Sequence, residues 1–310
     1  MIYTSENNWY QWKYDDNELF GSRSSGNQLM HTIYTKSDKP VHSFKDELLI
    51  AARSTLEQYS GLKPCIFFSG GVDSEVVLRA YLDIGVTPDI CIIRYENDLN
   101  IYDVSYAVTI CSMLSVDYKI IDFKLQKFYE TDAEHISEIS QIDRPRALPH
   151  LKFLDYIEDN QFGIYGIGDP RWARTHDDYN TKAEWLLIDQ EHDTGWDKFL
   201  IHRNVPAIAQ WFKWTPSLVL SYTKLQWFQK LIADQYYGKL GVTSTKIIGY
   251  REAYPDLIQR KKQTGFEQID TLIDEFEKHL INKYNGLIYR GTHIRTLDQL
   301  WTEITGNPYE

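Results

Sequence analysis

The sequence predicts an α/β fold: a parallel sheet with helices on both faces, followed by a helical C-terminal part. Three observations lead there. Short apolar-rich runs recur at 64–68, 89–95, 117–123 and 161–166. Helix-length stretches fill 74–85, 101–115, 125–139 and 146–159 between and around them. The first run is followed by a glycine-rich turn and then by a helix. Strands that read as near-continuous apolar runs are buried on both faces, and alternation with helices makes them parallel.

Composition sets the class. The chain has 310 residues, of which 43% are hydrophobic and 25% charged, ordinary values for a globular protein. That length supports one large domain or two smaller ones, with a full core. No apolar run reaches membrane-spanning length and no charged-then-apolar leader opens the chain, so a soluble, cytoplasmic protein without a membrane partner is expected. Cys65, Cys91 and Cys111 lie in apolar stretches and read as small buried hydrophobes; no CxxC spacing exists. The net charge of -11 argues against a nucleic-acid partner, because Arg260-Lys261-Lys262 is the one dense basic cluster.

Residues 1–60 read as an N-terminal appendage, a hairpin plus a helix, and 61–310 as the main domain with its helical C-terminal region. Alternation around Trp9–Tyr14 predicts a hairpin turning at Asp15-Asp16-Asn17. Phe44 to Tyr59 is an amphipathic helix with Leu48, Leu49, Ala52 and Leu56 on one face and Ser43 as cap. Beyond the four strands, residues 170–205 read as irregular or hairpin structure. Helices resume at 205–213, 216–236, 245–252 and 266–283.

The turn after the first strand is Ser69-Gly70-Gly71-Val72-Asp73-Ser74. A strand, a glycine-rich turn and a helix start make an anion site, because backbone N–H groups point outward there and the helix dipole favours negative charge. The glycines let the backbone approach a phosphate closely, and Ser69 and Ser74 add hydroxyl donors. Asp73 would repel phosphate unless a metal lies between them, which points to Mg²⁺ bridging Asp73 and a polyphosphate. The plainer reading is a Gly-Gly turn with Asp73 as a capping charge.

The segment resembles the pyrophosphate loop, SGGxDS, of the N-type ATP pyrophosphatases. Three later features extend the resemblance towards the synthetase domain of asparagine synthetase. They are Tyr165-Gly166-Ile167-Gly168-Asp169, Trp214-Thr215-Pro216-Ser217-Leu218, and the Pro255…Arg260-Lys261-Lys262-Gln263-Thr264-Gly265-Phe266 run. The resemblance implies an adenine nucleotide alpha hydrolase-like fold and an ATP-dependent, AMP- and pyrophosphate-forming ligase. A substrate carboxylate would be adenylated and passed to ammonia or an amine. It implies ATP and Mg²⁺ as cofactors, with Asp73 and Asp169 as metal ligands and Lys262, helped by Arg260, as the catalytic cations. ATP would lie against Phe67, Ser69, Gly70, Gly71, Val72, Asp73, Ser74, Ile93, Gly166 and Gly168, with adenine read mainly by backbone. The family's glutaminase domain has no counterpart, so the nitrogen would come from solution or a separate glutaminase.

The chain also departs from the pattern. Asp169 follows Gly168 directly and Pro170 follows it, so a turn aspartate is the competing reading there. Arg260 and Lys262 also read as a solvated charge run. Arg144 and Arg146 read either as an anion clamp or as a surface turn. His176 with Asp177 and Asp178, and His192 with Glu191 and Asp193, read as loop polarity before metal ligands. Two other functions fit the loop: a pyrophosphatase modifying a nucleobase or tRNA, and a nucleotide-binding protein without turnover.

Overall fold

The computed structural model describes residues 9–15, 18–25, 27–174, 185–233, 242–260, 264–284 and 291–309. Among them, in chain order, are β1 (Tyr10–Tyr14), β2 (Met30–Tyr34), α1 (Phe44–Gln58), β3 (Lys63–Phe67), α2 (Val72–Asp83), β4 (Asp89–Tyr95), α3 (Ile101–Met113) and β5 (Lys119–Phe123). Next come α4 (Leu125–Thr131), α5 (Ala133–Ser140), α6 (Leu148–Lys152), β6 (Gln161–Ile164), β7 (Trp172–Arg174), β8 (Trp185–Gln190), α7 (Glu191–Arg203) and β9 (Ala207–Ile208). The C-terminal part holds α8 (Pro216–Ser221), α9 (Gln226–Ala233), α10 (Val242–Ala253), α11 (Asp270–Tyr284), β10 (Thr292–Thr296) and α12 (Leu297–Thr305).

The main sheet has five strands in the order β5-β4-β3-β6-β9, all parallel. Alternate residues leave it on opposite faces, as the period of two requires. Ile66, Phe68, Ile90, Ile92, Phe162 and Ile164 enter one core with α1, α2, α3 and α10. Cys65, Phe67, Cys91, Ile93, Ile121 and Phe123 enter the other with α4 to α7 and α11. Both faces are therefore covered, and the α/β fold with a doubly covered parallel sheet is what the chain adopts. The chain steps from β3 to β4 and β5 on one side, then returns to place β6 on the other. That reversal opens a crevice at the carboxyl ends of β3 and β6, where ligands of such sheets bind.

Several sequence expectations are corrected. The helix expected at 205–213 is instead β9, which pairs with β6, followed by a short turn at Trp211–Lys213. Pro206 and the apolar Ala207–Ile208 complete a sheet edge there. Within 170–205, where irregular or hairpin structure is expected, β7 and β8 pair as antiparallel strands but residues 191–203 form helix α7. Ten consecutive residues of it, Glu191 to Leu200, are buried, so it lacks the polar face that makes a helix legible. The long helices at 125–139, 146–159 and 216–236 are each broken into shorter pieces. β1 and β2 pair from Tyr10↔Tyr34 to Tyr14↔Met30, so the two strands are not sequence neighbours across a two- or three-residue turn; Asp16 and Asn17 of the expected turn lie outside the described residues. In the C-terminal part β10 joins β8 and β7 in a three-stranded antiparallel sheet. No helix among the described residues is long and apolar enough to cross a membrane.

Candidate active site

The Ser69–Ser74 loop leaves β3 at the crevice and becomes the start of α2. Gly70 has φ +73°, and a Cβ there would lie 2.5 Å from the Asp103 carbonyl oxygen and 2.8 Å from Ala107 N, so α3 packs directly on the loop. Gly71 caps α2 in extended conformation without a side-chain cap. Its N–H reaches Ser69 Oγ at 3.3 Å, and the Ser74 hydroxyl donates to the Gly71 carbonyl at 3.0 Å. The first-turn N–H groups of a helix have no partner within it. With two hydroxyls beside them they form a donor-rich cradle at the positive end of the helix dipole.

The second glycine turn meets this loop across the β3–β6 switch. A Cβ on Gly166 would lie 2.8 Å from Ser74 Cα, and Gly168, at φ +91°, packs on Gln210. Asp169 comes off this turn beside Asp73. Both carboxylates contact one ammonium, Lys246 of α10, at 3.0 Å each. The Tyr250 hydroxyl, one turn further along α10, donates to Asp73 at 2.8 Å and pairs with Tyr222. The two carboxylates hold the Lys246 ammonium charged far above its ordinary range, against burial. Burial raises the Asp169 carboxyl, Lys246 opposes that, and nearby Asp73 adds to it.

Nothing in the local sequence marks Lys246 and Tyr250 as site residues. Their i, i+4 spacing puts them on one helix face, but nothing local says that this face meets Asp73. The same arrangement tests the fit for a metal. The two carboxylates that meet at the Lys246 ammonium are hard oxygen donors of the kind Mg²⁺ takes, so Asp73 and Asp169 fit the protein share of such a site. Among the described residues no group of three or more His, Cys, Asp or Glu converges, so a protein-only cage is not built.

Arg260 reaches the loop. Its guanidinium pairs with buried Glu75 and donates to the Gly70 carbonyl, and burial lowers it to about 10. It does not line the cavity, so it contacts the loop's framework and not the space a phosphate would fill. Lys262 lies outside the described residues. Thr264, two positions beyond it, does line the cavity, and Gly265, at φ +85°, seats the chain against Leu99 and Asn100.

The cavity itself is about 520 Å³. Ser69, Gly71, Asp73 and Ser74 form one end. Phe67, Ile93, Tyr95, Phe153, Tyr165, Gly166 and Trp196 form apolar and aromatic walls, with Arg146, His150 and Glu267 also facing it. Phe67 and Tyr165 stack at 4.8 Å and 22°. Of the expected site residues, Gly70, Val72, Gly168 and the expected metal ligand Asp169 do not line the space. The Ile93 carbonyl already accepts from Asn100 Nδ2 at 2.9 Å, so one backbone acceptor expected to read adenine is shared.

Arg146 stands at the cavity paired with Asp270. His192 and Asp193 are buried, 3.0 Å apart, and belong to a charge network with Arg171 and Lys213. His176, Asp177 and Asp178 lie outside the described residues.

No family model matches the chain, and no curated protein matches it. Among solved structures it is similar to NMN synthetase from Francisella tularensis, at 15% identity and a TM-score of 0.30 over 79% of this chain and 94% of that one. A likeness of that size carries no weight for function.

Proposed function

We propose that the chain binds ATP with Mg²⁺ in this cavity and is an AMP-forming ligase that joins a carboxylate to ammonia or an amine. One observation carries the reading: SGGVDS stands at the sheet's switch point with Asp73 and Asp169 turned to a common cation. Ser69, Gly71 and Ser74 hold the phosphates, and the Phe67–Tyr165 wall packs the base. Asp73 and Asp169 would hold Mg²⁺, which when bound shields the phosphate charge from them. The substrate carboxylate attacks the α-phosphorus and pyrophosphate leaves; the amine then displaces AMP. Lys262 stabilises charge developing on the leaving phosphates. Arg260 fixes the loop that receives them.

A second reading is nucleotide binding without turnover. Lys246 favours it, because its ammonium already neutralises both carboxylates. Pyrophosphate and AMP release, measured with a panel of carboxylates and ammonia, separates the two. Turnover in the parent and its loss in Asp73→Ala support the ligase. Lys262→Ala should lower turnover by about 10²-fold or more, the scale for one preorganised donor, while ATP affinity falls less. Binding without pyrophosphate release leaves the second reading. No ATP binding at all overturns both.

A further inference from the structure

Glu75 follows the SGGVDS run directly, in the first turn of α2, and its side chain is buried. It is the hub of an ion-pair chain. Arg79, one turn along, pairs with it at 2.7 Å and with Asp256 at 2.9 Å. Arg260 pairs with it from the distant C-terminal segment and also donates to the Gly70 carbonyl. Glu75 therefore ties residues 256–260 to the helix that the loop opens.

The consequence falls on one peptide. Gly70–Gly71 is a planar trans unit, so its carbonyl and the following N–H point in opposite directions. With the Gly70 carbonyl held by Arg260, the Gly71 N–H is turned away from it to the cavity wall, where it donates to Ser69 Oγ at 3.3 Å, a long bond that a phosphate oxygen can share or replace. Gly70, at φ +73°, has the backbone freedom to let this peptide flip if the carbonyl were released. We propose that Glu75 is a positioning residue: by holding Arg260 it fixes the Gly70–Gly71 peptide so that the Gly71 N–H is presented to a bound phosphate. Only the identity of the ligand rests on the ATP reading. The orientation of the peptide does not. A donor fixed in advance binds without the cost of ordering it.

The test compares the parent protein with Glu75→Gln, Glu75→Asp and the milder Arg260→Lys. Hydrogen exchange of the peptide spanning 67–75 is followed without ligand, and calorimetry with Mg²⁺ and a non-hydrolysable ATP analogue gives the Kd. Glu75→Gln should speed exchange in the loop while β4 and β6 exchange as before, and should raise Kd by about tenfold, the scale of one hydrogen bond to a charged group. Glu75→Asp, which keeps the charge, should recover part of both. Arg260→Lys should raise Kd as well, because an ammonium lacks the fork that reaches Glu75 and the Gly70 carbonyl together. Unchanged loop exchange and Kd in folded Glu75→Gln overturn the inference. So does loosening that spreads evenly through the sheet, which is what a merely structural pair would give. If the parent binds no ATP analogue but the loop still responds to Glu75→Gln, the ATP reading fails and the positioning of the peptide stands.

Discussion

Lys246 places one positive charge between Asp73 and Asp169, where the sequence leads one to expect a divalent ion. An ammonium and a divalent cation compete for the same oxygens. Lys246→Gln should therefore tighten Mg²⁺ or Mn²⁺ binding to the nucleotide-free protein, by about tenfold or more for a charge at contact distance. Mn²⁺ titration followed by electron paramagnetic resonance reads it; Mn²⁺ affinity unchanged in folded Lys246→Gln would show that Asp73 and Asp169 do not hold the divalent ion. At this scale the site is half legible from sequence. Asp73, Ser69 and Ser74 announce themselves because the loop is contiguous and its chemistry is local. Lys246, Tyr250 and Glu75 do not, since their roles depend on which helix face docks against the loop. Arg260 was legible as a cation near the site but not as one committed to Glu75.

Among the elements, legibility follows periodicity. β3, β4 and β6 are recognisable as short apolar runs bounded by turns and buried on both faces, and α1 and α3 because their burial repeats every three to four residues. α7 is not, because the repeat vanishes when a helix is buried almost all round. β9 is not, because two residues carry no period and only the open edge of β6 gives them a partner. The loop between β3 and α2 offers a sharp test of how tightly elements are packed at the site. Gly70 and Gly85 both have positive φ, at +73° and +79°. A Cβ on Gly70 would strike α3 backbone, whereas one on Gly85 meets nothing within 4 Å. Gly85→Ala should thus cost the strain alone, about 1 kcal/mol, and Gly70→Ala about 3 kcal/mol or more. Urea unfolding of the two variants compares them, and equal losses would mean that α3 does not press on the loop.

Across the whole molecule, buried charge connects the N-terminal hairpin, the antiparallel sheet and the site. Asp189 accepts hydrogen bonds from Thr32 and Tyr34 on β2, from Lys213 and from Arg295 on β10, all buried. Lys213 also pairs with Asp193, and Asp197 lies one turn further along α7. Asp197 accepts from Gln210 at 2.5 Å, and Gln210 bridges to Gly166 and packs under Gly168, the turn that carries Asp169. Burial pushes the Asp197 carboxyl up to about 7, with Gln210 and Lys213 opposing. The folded state then holds this proton more tightly than the unfolded chain does. Between about pH 4 and pH 7 the folded protein binds more protons, so the Asp197 contribution to stability falls as pH rises through that window. The loss is at most about 4 kcal/mol above pH 7, from three pKa units. Lys198, which burial lowers to about 7, acts in the opposite sense and at higher pH: its contribution rises from about pH 7 towards its ordinary value. Asp197→Asn keeps an oxygen for Gln210 and removes the titration while leaving Lys198 in place. Its thermal midpoint should match the parent at pH 5 and exceed it at pH 8, with the gap opening between those values. Parallel midpoint curves for the two proteins would show that Asp197 is ionised throughout, stabilised by Lys213 and Gln210 beyond what its burial costs.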